Sequence, residues 1–310
     1  MTQDKSKKIT AEDIAKLFAK PKIHTAELGE HHFTQPQSIR CKWCGSVDIK
    51  KYGIRDGIQE YLCLKCGRKF NAKDAPYKKQ TPVEQIGSAL DMFYDGLSFQ
   101  DIARHLEHTY NNPVNESTVY RWVMSYTEKA VNILGKLRPK VSDTWVVDET
   151  VIKVGGDNWW FWDVIDEDTR FLLTSHLSLS RTTRDASSLM EKAWKRTNKA
   201  PKVIISDKLY AYLDGIETVF GADTEHIQSK GMTADINTNL IERFHGTLKD
   251  RTKVIRGFKT IETALVILDG FLIHYNFFRP HMTLRNQTPA EIAGIKLPYK
   301  TWVEFVRQDK

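Results

Sequence analysis

The sequence has only four cysteines in 310 residues, all of them in two short pairs at 41–44 and 63–66. That scarcity excludes the disulfide framework that reinforces many small secreted domains. Long apolar runs are missing too. The best of them, "LVILDGFLI" (265–273), is interrupted by Asp269 and Gly270 and falls short of the roughly 18–20 residues a membrane span requires. The opening "MTQDKSKKIT" lacks the apolar stretch of a secretory signal. These absences lead us to expect a cytoplasmic chain that makes no membrane contact. Apolar residues are not in short supply, at 41% hydrophobic and 11% aromatic. That composition describes a folded protein, with length enough for two or three domains.

Acid is scarce at both ends. Residues 1–140 carry 23 Lys/Arg against 16 Asp/Glu, and residues 236–310 carry 12 against 7. Residues 141–235 reverse the balance, with 11 against 16. Basic ends around an acidic middle suit polyanion binding at the ends and cation binding between them.

The cysteines stand in "CKWCG" (41–45) and "CLKCG" (63–67), with 18 residues between Cys44 and Cys63. This is zinc-ribbon spacing: two knuckles, each aiming two thiolates at one tetrahedral ion. Gly45 and Gly67 follow the second cysteine of each pair, where a knuckle needs positive φ. The intervening "VDIKKYGIRDGIQEYLCL" alternates around "RDG", a turn between short strands. A reducing compartment disfavours disulfides, and duplication of the motif disfavours a redox dithiol. We therefore expect one structural Zn²⁺ on Cys41, Cys44, Cys63 and Cys66, in a ribbon over residues 37–75. Residues 1–36 form a tail in which "TAEDIAKLFAK" reads as one short helix.

Three helices are expected over residues 80–130. "TPVE" (81–84) combines a capping box with a proline at the first helical position, and Ser98 caps a second helix. In "ESTVYRWVMSY" (116–126), Val119, Trp122 and Val123 turn inward and leave Ser117, Thr118, Tyr120 and Arg121 outward near the helix start. That arrangement suits a helix-turn-helix reading the major groove of double-stranded DNA. An ordinary three-helix packing unit would show the same periodicity.

From Asp143 the pattern changes. Strands read at 144–154, 158–166 and 171–180, followed by helix, strand, helix, strand and helix. This is the order of a ribonuclease H-like mixed sheet, an α/β architecture over residues 141–260. Residues 261–310 form a C-terminal helical segment expected to pack on it. Asp148 lies inside the first strand, Asp207 ends "VIISD", and Glu242 lies on the helix "NLIERFHGTLKDRTK". Carboxylates in or beside apolar strands are costly unless compensated, and three acids from three elements suit two hard cations. On the last helix Glu242, Lys249, Lys253 and Arg256 fall on one stripe, with no Lys or Arg three or four residues after Glu242. Glu149, Asp163 and Asp166 read as packing or turn residues, and the run "WWFW" (159–162) as core.

"VVDETVIKV", "IISDKLYAY" and "NLIERFHGTLKDRTK" resemble the catalytic blocks of DDE-type transposases of prokaryotic insertion sequences, in the retroviral-integrase superfamily. The nearest likeness is to the family named after the sixth bacterial insertion sequence. The 34 residues between Asp207 and Glu242, and Lys249 seven residues after the glutamate, fit that family's pattern. Thr238-Asn239 stands where members often have Asn-Asn, and the cysteine-rich addition is not shared by every relative. The resemblance implies a polynucleotidyl transferase with two Mg²⁺ (or Mn²⁺) ions on Asp148, Asp207 and Glu242, and Lys249 on a DNA phosphate. It also implies terminal inverted repeats and target DNA as partners, a synaptic complex of at least two copies, and a nucleoid-associated location. An idle DNA-binding regulator descended from such an enzyme, or a structure-specific nuclease, would share these residues.

Overall fold

Two apolar strands and a short run of β-branched residues build the sheet that positions Asp148, Glu149 and Asp163. The structure, a computed structural model, describes residues 39–55, 58–71, 81–229 and 238–308. The short helix expected within residues 1–36 and the turn positions 56 and 57 lie outside the described residues. The chain divides into two compact units, residues 1–70 and 71–310.

In the first unit β1 (Ile49–Arg55) pairs antiparallel with β2 (Ile58–Cys63), and β3 (Lys69–Asn71) completes a sheet of order β1-β2-β3. Its core is Cys41, Tyr61, Cys63 and Phe70, with the Tyr61 and Phe70 rings stacked at 5.7 Å. So small a core cannot offset the chain entropy of a fold this size without a staple.

The second unit begins with α1 (Val83–Tyr94), α2 (Phe99–Tyr110) and α3 (Glu116–Leu134), in the order of a helix-turn-helix. Ser98 caps α2 by accepting the Asp101 N–H, and Asn115 caps α3 by accepting that of Ser117. The capping box expected at Thr81 is not formed. Pro82 occupies the N-cap, and no side chain caps α1.

The catalytic-type layer follows: β4 (Thr144–Val154), β5 (Asp157–Asp166), β6 (Leu172–Ser178), α4 (Thr183–Thr197), β7 (Val203–Ser206), α5 (Tyr210–Phe220), β8 (Glu225–Gln228) and α6 (Asn239–Thr252). The sheet order is β6-β5-β4-β7-β8. β4, β5 and β6 are antiparallel neighbours, whereas β7 and β8 run parallel to β4. Three meandering strands followed by two parallel crossover strands is the ribonuclease H-like topology. Alternation assigns the faces. Asp148 and Asp163 point toward α6, while Glu149 and Trp162 point toward α5, where Trp162 packs edge-on to Tyr212.

α7 (Ile261–Ile273) continues through a π-turn at His274–Phe278; α8 (Pro289–Ile292) and α9 (Trp302–Arg307) follow. The stretch Ile261–Phe278 is apolar and long enough to span a bilayer by composition alone, but it is 67% buried within the fold. It packs against α3 and β6. A Cβ on Gly270 would lie 1.9 Å from the Tyr94 hydroxyl, so α1 and α7 meet only because that side chain is absent. At the far end of α1, a Cβ on Gly87 would fall 2.4 Å from the Val303 Cα in α9. The C-terminal helices thus share one core with the N-terminal helices as well as with the sheet.

Asp91 lies on α1, one turn before Asp95. Burial, with Asp95 adding repulsion, pushes its carboxyl up to about 7. The folded value stands above the unfolded one of about 3.9. The folded state therefore holds the proton more tightly, and the stabilisation is lost as pH rises from about 4 to 7. Asp91→Asn is expected to raise the thermal midpoint at pH 8, with the gain shrinking toward pH 5. Circular-dichroism melts at the two pH values check this.

Candidate active site and cysteine cluster

The β4–β7 pairing runs from Thr144–Val203 to Val146–Ile205. Two residues further along, Asp148 on β4 comes level with Asp207, the first residue past the carboxyl end of β7, where α/β sheets place ligands. β7 stops at Ser206, and among the described residues β4 has no strand partner on that side from there until Val154 bridges to Phe258. Carboxylates from both faces of β4 can curl around the open edge. Asp148, Glu149 and Asp207 each bring an oxygen within 4.8 Å of the others.

Their proton affinities reflect this crowding. Burial, then repulsion from Asp148, raises the Asp207 carboxyl above its ordinary value, although the Leu209 N–H donates to it at 2.9 Å. Burial also raises Glu149, whose side chain is only 3% exposed. Both Glu149 oxygens are engaged: Arg181 Nη1 lies 3.1 Å from Oε1, and the Tyr212 hydroxyl donates to Oε2 at 2.8 Å. The Arg181 guanidinium also sits over the Trp160 ring, 4.0 Å from its centroid. Within "WWFW", Phe161 and Trp162 are core, whereas Trp160 is a half-buried platform for that arginine.

Two of the three expected carboxylates, Asp148 and Asp207, are brought together. Glu242 does not join their cluster. It is exposed in the first turn of α6, accepting the Thr238 hydroxyl proton at 2.7 Å. The third carboxylate present is Glu149, read from sequence as a packing residue. α6 nonetheless reaches the site through His245, one turn beyond Glu242. His245 Nδ1 is 3.3 Å from Asp148 Oδ2, and Nε2 is 2.8 Å from Asp163 Oδ2. Burial would lower the His245 pKa, but Asp163 and Asp148 outweigh it and raise it to about 10. Burial raises Asp163 to about 6, against the pull of His245. Both shifts belong to one coupled pair, and the direction that follows from two flanking carboxylates is a protonated His245. Asp166 behaves as a turn residue, accepting from Ser142, Thr169 and their amides.

Lys249, Lys253 and Arg256 are exposed but not on one helical stripe. α6 ends at Thr252; Lys253 opens a 3₁₀ turn, and Arg256 adopts left-handed φ of 56°. On α3, Ser117 and Arg121 are exposed and Thr118 half-buried, with Arg121 folded back onto the Ser117 carbonyl and Thr118 hydroxyl at 3.1 Å each. Tyr120 packs edge-on to Phe99 at 5.5 Å.

In the first unit, Cys41 and Cys66 sulfurs are 3.6 Å apart, and those of Cys44 and Cys63 are 3.5 Å apart. All four cysteines are free, and each offers a sulfur within 4.8 Å of the rest. A disulfide needs about 2.05 Å. Tetrahedral zinc at about 2.3 Å from each sulfur spaces its ligands by about 3.8 Å. The cluster therefore fits zinc and not a disulfide. Gly45 and Gly67 adopt φ of 71° and 70°, and each donates its N–H to the first cysteine's carbonyl at 2.9 Å.

Residues 142–281 match a family model described as a DDE domain. The transposase for the insertion sequence-like element IS431mec of Staphylococcus aureus is 29% identical over 202 residues, covering 64% of this chain and 83% of the relative. The domain match and this likeness together support a DDE transposase of bacterial insertion sequences. The S. aureus transposase for IS257 in Tn4003 matches to the same extent, 29% over 202 residues. An uncharacterized protein of Methanocaldococcus jannaschii is 23% identical over 193 residues, 61% of this chain and 83% of that one. The HTLV-2 integrase catalytic core, solved with magnesium, aligns over 51% of this chain and 98% of its own at 16% identity and TM-score 0.39. The BIV integrase core aligns over 49% and 93% at 18% identity and TM-score 0.38. Asp148, Glu149, Asp163, Asp207 and His245 all fall inside the matched DDE domain.

Proposed function

We propose that this transposase cuts DNA at the terminal inverted repeats of its element and joins the freed 3′-hydroxyl to target DNA. Divalent metal, Mg²⁺ or Mn²⁺, would be held by Asp148, Asp207 and Glu242. The observation that carries the reading is the pair of aspartates brought together by β4 and the end of β7, inside the DDE domain. The donor set suits a hard cation: hard oxygens, crowded enough that burial and repulsion raise the proton affinity of Asp207. Glu149 is the less available third ligand, because Arg181 and Tyr212 hold both its oxygens. Glu242 is exposed and bound only to a hydroxyl one turn from His245. Two ions so held would activate the attacking oxygen and stabilise the leaving one.

The chain's other residues then bind and orient DNA. Lys249, Lys253 and Arg256 supply phosphate contacts beside the site, and Ser117, Thr118, Tyr120 and Arg121 present the outer face of α3 to the duplex. Half-burial and the Phe99 contact restrict Tyr120 to a flank of that surface. The four cysteines hold one structural zinc with no open coordination position. Synapsis of two ends requires at least a dimer.

The test incubates the purified full chain with Mg²⁺ and oligonucleotides carrying the element's own ends. We expect nicked ends with 3′-hydroxyls and products joined to target DNA. Cutting without joining would make the chain a nuclease, and binding without cutting would make it a regulator.

A further inference from the structure

Asp148 and Asp163 are direct cross-strand partners on β4 and β5. Their carboxylates leave the same face of the sheet, where opposed like charges repel. His245 of α6 lies across both, with one ring nitrogen on each carboxylate, at 3.3 Å and 2.8 Å. A neutral imidazole has a single donor; serving two carboxylates requires a hydrogen on both nitrogens. Asp163 is fully buried, and its Oδ1 has no hydrogen-bond partner among the described residues. A carboxylate so placed costs stability, and its one hydrogen-bonded contact is with His245. Asp148, by contrast, is 16% exposed, beside Asp207 just past the end of β7.

We propose that His245, anchored by Asp163, is a positioning residue that fixes the Asp148 carboxylate in the orientation that binds divalent metal. The inference rests on Asp148 being a metal ligand, as proposed above, and adds what holds that ligand still. Asp148 Oδ2 faces His245, and the same carboxylate brings an oxygen within 4.8 Å of Asp207. Without the imidazole, Asp148 would swing away from Asp163 and pay the cost of reorientation whenever an ion binds. Hydrogen-bond partners behind metal ligands characteristically tune affinity in this way.

The test compares the zinc-loaded full chain with His245→Gln, and with the paired variant His245→Gln/Asp163→Asn. The paired change replaces the charged couple by two amides of similar shape. Two readouts are taken: the Mg²⁺ concentration giving half-maximal nicking, and Mn²⁺ affinity by calorimetry without DNA. Both should weaken by about 10-fold, while the nicking rate at saturating Mg²⁺ and the affinity for DNA stay near the parent's. A variant that melts earlier yet keeps the parent's Mg²⁺ demand and Mn²⁺ affinity would overturn the proposal. Loss of folding in both variants would do the same, since it would make the contact purely structural. Asp148→Asn is the companion control. If it still cuts normally, the metal-site reading itself has failed; if it is inactive while His245→Gln is unchanged, only the positioning role has.

Discussion

Asp148→Asn is expected to lower metal-dependent nicking by on the order of 10³-fold, equivalent to about 4 kcal/mol of barrier height. The substitution keeps the shape of the side chain and an oxygen able to accept from His245. It removes the charge that makes the edge between β4 and β7 attractive to a cation. Nothing else about the sheet should change, because the side chain is partly exposed past the end of β7 and the substitution keeps its shape. Affinity for DNA should hold, since the basic groups at Lys249, Lys253 and Arg256 and the face of α3 are separate from the carboxylates. Gel-shift and nicking assays on the same preparation separate the two effects. A variant that cuts as fast as the parent would remove Asp148 from the chemistry.

Removing metal from the cysteine cluster is the second large effect. Among the described residues four buried side chains form the core of the small unit, and the proposed zinc would supply the rest. Structural zinc in comparable small folds contributes about 10–16 kcal/mol of binding free energy that is also folding free energy. Chelation is therefore expected to release one zinc per chain and expose all four thiols to a colorimetric thiol reagent, including Cys63, which is 0% exposed in the folded unit. The larger unit has its own extensive core, and its melting transition should persist after chelation. Cys63→Ser should reproduce the chelated state. Thiols that stay protected in the metal-free chain would show that the ribbon stands without a metal.

Much of this was legible in the sequence, for identifiable reasons. Asp148 and Asp207 stand out because a carboxylate inside or ending an apolar strand is costly unless something compensates it. The cysteines stand out because their spacing leaves few alternatives, and the strand order because alternation is strong from Thr144 onward. Glu149 reads as packing because alternation sends it to the opposite face from Asp148, and its place beside the two aspartates is not legible from that. Only the early end of β7 lets the two meet around the edge. Asp163, read as a packing residue, is indeed buried; its place opposite Asp148 depends on register, which is not written in either strand alone. His245 carried a weak signal, a lone titratable ring on the buried face of α6 beside Ile241, Phe244 and Leu248. The basic stripe was drawn too long because the helical period was carried past Thr252, where the backbone tightens and then turns left-handed at Arg256. The association of α1 with α7 and α9 rests on two glycines that periodicity treats as neutral.

The most direct measurement is a crystal of the full chain soaked in Mn²⁺, with anomalous scattering recorded at the manganese edge. A peak coordinated by Asp148 and Asp207, with Glu242 turned from Thr238 to complete the set, is the predicted result. An anomalous map empty between those two aspartates, in crystals of a chain that still cuts DNA, would contradict it.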